Sequence, residues 1–179
     1  MPHTDSAWTR LAGRTARGVL ARKDCSFEEL AVLMSATGIP ESFRSVESKI
    51  RRGSFSFAFF LAMLWAVSAE CPAQWRQFVH SEQTWEDAAH HIFLHEAAAH
   101  RLNLDDLPRR LEAFASVRRR GTLTAQVTAG TFPFTLLLQL ASVVRIPDFS
   151  RFVDDIDLAA AAADDAVTAA SKRPPPPRP

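Results

Sequence analysis

The sequence predicts an all-α fold, built as a tandem duplication of a small four-to-five-helix domain with a helix-turn-helix-like core. Composition is the first observation behind this prediction. Tyr is absent and Gly numbers only 6 among 179 residues, so β-strands joined by Gly-rich turns have little material to form from. Ala, Leu, Arg and Glu, which favour helices, are abundant. Because 47% of the residues are hydrophobic and 23% are charged, we expect a packed globular core.

An internal repeat is the second observation. An ungapped shift of 77 residues aligns the block GSFSFAFFLAML with GTFPFTLLLQLA and extends over both halves of the chain. The identical pairs include Trp8 and Trp85, Leu30 and Leu107, Gly53 and Gly130, Phe55 and Phe132, Phe57 and Phe134, and Leu61 and Leu138. Amphipathic segments can be slid until some apolar residues coincide, but an ungapped register from tryptophan to tryptophan argues against chance. We therefore divide the chain into copy one (residues 1–79), a degenerate copy two (80–158) and a tail (159–179).

Helix start signals give the elements of copy one in order. Ser26 and Glu29 form an S-x-x-E capping box, which predicts a helix near residues 26–37. A basic helix is expected over about 42–52, and Ser54 is expected to cap the apolar helix that follows.

The same signals recur in copy two. They are Thr84 with Asp87, Asn103 with Asp106, and Thr131. Gly53 and Gly130 each stand between two predicted helices, where a left-handed residue that ends a helix is usually glycine. Five short helices therefore fit each copy.

The tail changes composition after about residue 158. An Ala- and Asp-rich stretch, which can extend the last helix, is followed by SKRPPPPRP. The proline run cannot be helical and is expected to be solvated and polyproline-like. We expect residues 159–179 to be disordered; a ligand for a proline-binding groove is the alternative.

Charge and cysteine content indicate the compartment and the kind of partner. Residues 1–76 carry ten basic and seven acidic side chains, whereas residues 77–160 carry eight and eleven, so the first half suits a polyanion better. Cys25 and Cys71 form no CxxC pair, which favours a reducing cytoplasm. The N-terminus MPHTDSAW lacks a signal-peptide pattern, and the longest apolar run, 57–67, is too short to span a bilayer. We expect a cytoplasmic protein with no membrane partner.

The helix over 42–52 contains the candidate functional residues. Phe43, Val46 and Ile50 fall on one face and can seat the helix on the core. The opposite face and its flanks contain the candidate DNA-binding residues, which are Arg44, Ser45, Ser48, Lys49, Arg51 and Arg52. Arginine forks and serine hydroxyls can hydrogen-bond base edges, and cations can contact phosphates. The alternative is an ordinary solvated helix, although the preceding helix contains further cations, namely Arg10, Arg14, Arg17, Arg22 and Lys23.

Part of the first half of the chain resembles two known groups of domains. KIRRGSFSFAFFLAMLWAV, with LAVLMSATGI upstream, resembles an uncharacterised bacterial domain family of unknown function marked by R-G-[ST]-F-S-x-x-F-F. That resemblance covers roughly residues 8–70 and, more faintly, copy two, and it implies no activity. The segment more loosely resembles lambda-repressor-like helix-turn-helix domains, whose recognition helix ends near I-E-R-G. Residues 50–53, IRRG, differ by the glutamate, and the interval between Gly38 and Gly53 is longer here.

Copy two does not keep the basic face. Gly121, Gln126, Thr128 and Ala129 stand at the positions of Arg44, Lys49, Arg51 and Arg52, and Arg120 stands at that of Phe43. A second reading helix is therefore not expected, and the run 118–120 of three arginines is more often solvated than bound to phosphate. We interpret copy two as a structural partner that packs on copy one or forms a dimer surface. A symmetric homodimer would present two basic helices to neighbouring major grooves.

Other candidate sites are weaker. The histidines of the helix that begins copy two are His90, His91, His95 and His100. Their HEAAAH stretch has one residue too many for H-E-x-x-H, so we expect solvated or hydrogen-bonded histidines and no metal. No nucleotide-binding or hydrolase motif occurs, so we expect no enzyme and no cofactor. The sequence predicts a transcriptional regulator that binds double-stranded DNA; the alternative is a protein-protein interaction module, such as an antitoxin or adaptor.

Overall fold

The computed structural model describes residues 6–81, 83–102 and 120–171. Within these ranges the helices are α1 (Ala7–Arg22), α2 (Phe27–Ala36), α3 (Phe43–Arg52), α4 (Phe57–Ala66), α5 (Arg76–Ser81), α6 (Trp85–Ala99), α7 (Arg120–Thr128), α8 (Phe134–Val143) and α9 (Asp155–Ser171). Two short 3-10 turns, Ala73–Trp75 and Phe149–Arg151, precede α5 and α9. No strand occurs in the described ranges, and the predicted all-α fold is confirmed.

Side-chain caps begin several helices at the predicted residues. The Ser26 hydroxyl accepts the N–H of Glu29 over 3.2 Å, and the Glu29 carboxylate accepts the N–H of Ser26 over 2.8 Å. This capping box satisfies two backbone donors at the start of α2. The Thr84 hydroxyl, also a predicted cap, accepts the N–H of Asp87 at the start of α6, and the Ser42 hydroxyl accepts the N–H of Ser45 at the start of α3.

The starts of α4 and α8 differ from the sequence-based expectation. The cap of α4 is Ser56, whose hydroxyl accepts the N–H of Phe59 over 3.1 Å, and not Ser54. In the second half of the chain, α8 begins after Pro133 and not after Thr131. The physical reason is that the residues between each glycine and its helix pair with each other, in an isolated antiparallel bridge between Ser56 and Pro133.

Two reciprocal hydrogen bonds form this bridge between the first half (residues 6–81) and the second half (83–171). The N–H of Phe57 donates to the carbonyl of Phe132 over 3.0 Å, and the N–H of Phe134 donates to the carbonyl of Phe55 over 2.9 Å. Phe55 and Phe132 lie 77 residues apart, as do Phe57 and Phe134. Reciprocity of this kind is the mark of a local twofold axis.

The two predicted glycine caps are left-handed. Gly53 has φ 62° and Gly130 has φ 65°, a conformation that glycine adopts without steric cost. A Cβ on Gly53 would stand 1.8 Å from the carbonyl oxygen of Thr9, and a Cβ on Gly130 would stand 1.9 Å from that of Glu86. Only glycine at these two positions therefore lets α1 lie so close to the end of α3, and α6 so close to the end of α7.

The first helix of each half packs across the other half. α1 contacts α3 in its own half and α8 and α9 in the second half, whereas α6 contacts α4 and α5. The phenyl rings of Phe60 and Phe134 stack across the boundary with centroids 4.1 Å apart. As a result, both halves contribute to one hydrophobic core.

The Ala-rich stretch continues the last helix instead of beginning a disordered tail at residue 159. α9 extends to Ser171, because alanine favours helix and because Arg10 and Arg14 of α1 form ion pairs with this helix. Residues 172–179, which include the proline run, lie outside the described residues. The predicted cap formed by Asn103 and Asp106 lies outside them as well. No helix in the described ranges is long and apolar enough to cross a membrane.

Candidate nucleic-acid interface

α3 is held on the body by one apolar face. Val46 and Ile50 are fully buried, and Phe43 is partly buried against the same core, as predicted. The end of α3 lies against α1 at a second close approach, where a Cβ on Gly13 would stand 2.6 Å from the carbonyl oxygen of Ile50. This close packing fixes the orientation of α3, and therefore the direction in which its opposite face points.

Three arginines of the predicted site are exposed on α3. Arg44 and Arg52 have no ion-pair partner within the described part of the chain. Arg51 pairs with Glu47, one helical turn earlier, over 2.9 Å. An exposed pair of this kind contributes only about 0.3–0.5 kcal/mol, so Arg51 can exchange Glu47 for another anion at little cost.

Glu41, in the connection before α3, engages two other residues of the predicted site. Its carboxylate accepts hydrogen bonds from the Ser45 hydroxyl and the Lys49 ammonium group. Burial raises the pKa of Glu41, but these two hydrogen bonds and the positive charge of Lys49 together outweigh burial, so the pKa lies below its ordinary value. The Lys49 ammonium also lies over the Phe59 ring, 5.4 Å from its centroid. Ser45 and Lys49 are therefore engaged in holding α3 to its neighbours, and Ser48 is half-buried beside them.

The cations of α1 are engaged in internal contacts that the sequence did not reveal. Arg10 pairs with Asp164 and Arg14 pairs with Asp157, each over 2.8 Å. These pairs join α1 to α9. Of the other three cations, Arg22 donates to the Arg151 carbonyl and Lys23 donates to the Ser68 carbonyl. The guanidinium of Arg17 lies over Gly13.

The Arg17 side chain lies toward the seat of α3. Its guanidinium nitrogen would be 3.3 Å from a Cβ on Gly13, the residue that abuts the end of α3. Arg17 is exposed and has no ion-pair partner in the described ranges. It therefore adds a positive charge beside the exposed Arg52 end of α3. Sequence reasoning placed Arg17 in a general basic cluster, whereas Glu41 was not identified at all.

α7 corresponds to α3 in the sequence when the chain is shifted by 77 residues. Its end carries Thr128 and Ala129, both exposed, where α3 carries Arg51 and Arg52. Gln126 stands at the position of Lys49. The side chain of Arg120 is not among those described, and Arg118 and Arg119 lie outside the described residues. The described part of α7 therefore presents a neutral end where α3 presents a basic one.

The histidines make ring contacts and backbone hydrogen bonds, and the rings of His90 and His91 lie edge to face with centroids 4.9 Å apart. The ring of His90 hydrogen-bonds the carbonyl of Val127 over 2.8 Å, and that of His100 bonds the carbonyl of Arg145 over 3.0 Å. His91 and His95 pack against the Phe78 ring. Among the described residues, no three potential ligands come close enough together to hold a metal ion.

One family model is similar to part of the first half of the chain. Residues 8–71 match the model of a family described as "Domain of unknown function (DUF6471)". This match spans α1 to α4 and confirms the predicted similarity to an uncharacterised domain family. No curated protein and no solved structure matches the chain. The family's description names no activity.

Proposed function

We propose that this protein binds double-stranded DNA as a transcriptional regulator, with α3 in the major groove. The observation that supports the proposal most is the exposure of Arg44, Arg51 and Arg52 on a helix whose other face is fixed in the core. Exposed cations release counterions from DNA when they contact phosphates, and this release is a large source of affinity for duplexes.

The order of the helices agrees with this role. α2, a six-residue connection and α3 follow one another as in helix-turn-helix proteins, where the second helix enters the groove and the first crosses the backbone. Arg44 lies in the first turn of α3, where base contacts are usual, and Arg51 and Arg52 lie in the last turn. Bidentate arginine contacts can select guanine, while the end of the helix engages phosphates.

We also propose that the two halves arose by tandem duplication, with copy two retained as a structural partner. The reciprocal bonds of the Phe57 and Phe134 segments support this origin, as do the matching approaches of Gly53 to Thr9 and of Gly130 to Glu86. The free thiols of Cys25 and Cys71 suit a reducing cytoplasm.

A protein-protein interaction module is the second candidate function. Val32 of α2 is 72% exposed, and the exposed Leu33 lies beside it in a groove that also includes Cys25 and Glu28. An antitoxin or adaptor would cover these apolar side chains with a partner. Because this groove lies on α2, neutralising the arginines of α3 leaves it intact, and the two candidates can be separated.

The decisive experiment measures binding to duplex DNA over a salt series for two variants with equal charge. Arg51→Ser/Arg52→Ser and Thr128→Glu/Ala129→Glu each lower the formal net charge from +1 by two, but the first alters α3 and the second alters the equivalent end of α7. We expect the α3 variant to lose roughly 10- to 100-fold in affinity and about two units of salt slope. We expect the α7 variant to bind like the wild type.

Equal weakening of both variants would mean that net charge, not the α3 face, controls binding. Wild-type protein that binds no duplex at low salt would reject the DNA function. In that case, loss of a protein partner from a Val32→Glu variant would support the second candidate.

A further inference from the structure

We propose that one chain of this protein contains both units of a twofold body, with α3 as the one reading helix among the helices described, and that it binds an asymmetric DNA site as a monomer. This inference rests on the proposed DNA function and specifies its ligand. It departs from the symmetric homodimer that the sequence suggested.

The contact between the halves has the form of a twofold dimer interface. In such an interface, residue i of one unit contacts residue j of the other, and j contacts i. The Phe55–Phe134 rings lie 5.6 Å apart and the equivalent Phe57–Phe132 rings 5.7 Å apart. The Ser56–Pro133 bridge joins two residues that are equivalent to each other, so the local axis passes through it.

Both surfaces that form this contact are covered by helices of the same chain. α1 packs across the boundary on α8, and α6 packs across it on α4, so each half covers the apolar helix of the other. Phe57 and Phe134 are 0% exposed as a result. A second chain could not use this surface without displacing half of the first chain, and the surface needs no further partner.

The two helices related by the 77-residue shift, α3 and α7, differ in charge. α3 presents Arg51 and Arg52 at its exposed end, whereas α7 presents Thr128 and Ala129 there. A homodimer of two basic helices would require an inverted repeat with half-sites about one helical turn apart. A monomer with one basic helix requires a single half-site with no symmetry.

The test combines the mass of the complex with the pattern of the selected DNA. Duplexes that carry a randomised 20-base-pair segment are selected on the full-length wild-type protein, and the enriched duplex is then studied with the protein by native mass spectrometry. We expect a free monomer of 19.9 kDa, a complex of one chain per duplex and an enriched motif without inverted repeat. In Thr128→Glu/Ala129→Glu, the motif and the stoichiometry should be unchanged.

Three results would overturn the inference. Two chains on one duplex with an inverted-repeat motif would overturn it while leaving the DNA function intact. Salt-sensitive binding with no enriched motif would remove the asymmetric site but not DNA binding. A chain that binds no duplex at all would reject both the inference and the DNA function.

Discussion

Trp75 donates its indole N–H to the carboxylate of Glu96 over 2.6 Å, in the interior of the protein. Glu96 is 1% exposed and Trp75 is 0% exposed. The side-chain amide of Gln74 donates to the same carboxylate oxygen over 3.1 Å. A buried carboxylate depends on such donors, because an unsatisfied one retains its full desolvation cost.

Trp75→Phe should therefore destabilise the protein by at least about 1–3 kcal/mol, because Glu96 loses a donor. Phe152 and Val19, both buried, occupy the positions 77 residues from Trp75 and Glu96. The double variant Trp75→Phe/Glu96→Val reproduces that apolar pair and should be more stable than the sum of the single changes implies. Urea unfolding of the four proteins measures this coupling. Strict additivity would mean that the indole does not support the carboxylate.

Gly53→Ala should be much more destabilising than Gly38→Ala. Both glycines have positive φ, 62° and 84°, so each alanine incurs a left-handed cost of roughly 1–2 kcal/mol. Only at Gly53 would the new Cβ collide with the Thr9 carbonyl, since nothing lies within 4 Å of a Cβ on Gly38. Comparison of the two variants by thermal unfolding separates the cost of the left-handed backbone from the cost of the collision with Thr9. Equal losses would show that α1 can move away from α3.

The acid stability of the protein should depend on Glu41. Its pKa is lowered in the folded chain by hydrogen bonds from Lys49 and Ser45, against an opposing effect of burial. A carboxyl with a lowered folded pKa stabilises the fold above its unfolded value, about 4.3, and this stabilisation is lost as the pH falls through the folded value. Wild type should therefore be more stable than Glu41→Gln at pH 7, and the gap should close toward pH 3. A gap that widened on acidification would contradict this assignment.

Arg10→Ser/Arg14→Ser should affect DNA binding less than Arg51→Ser/Arg52→Ser. Both double variants remove two positive charges, but Arg10 and Arg14 are paired with aspartates of α9. Such exposed pairs contribute about 0.2–1 kcal/mol each, so only a small loss of stability is expected. Affinity titrations at fixed salt, together with urea unfolding, provide both values. An equal loss of affinity would extend the interface to α1.

The helices and the faces by which they pack on the core could be predicted, because both depend on residues that are close together in the sequence. The capping box of Ser26 and Glu29, the buried face of Val46 and Ile50, and the left-handed Gly53 all follow from patterns within a few residues. The assignment of Ser54 as a cap was wrong because Ser56 competes for the same role two residues later. The pairing of the segment around Ser56 with residues far along the chain decided the choice.

The composition of the candidate site was less predictable. Charge pattern identified the exposed arginines, but the engagement of Lys49 and Ser45 by Glu41 depends on how the connection before α3 folds back. The pairing of α1 cations with Asp157 and Asp164 depends on a contact between the two ends of the chain. Helical periodicity contains no information about such distant partners.

The bridge around Ser56 and Pro133 also determines how the protein responds to dilution. Two separate chains joined by such a contact would come apart at low concentration, and their stability would vary with abundance. Here both segments belong to one chain, so the contact between them does not depend on the protein concentration. The folded body therefore persists at any abundance. Under the proposed duplication, neither half must therefore remain a copy of the other, and a difference such as that between Arg51 and Thr128 can be fixed in one half alone.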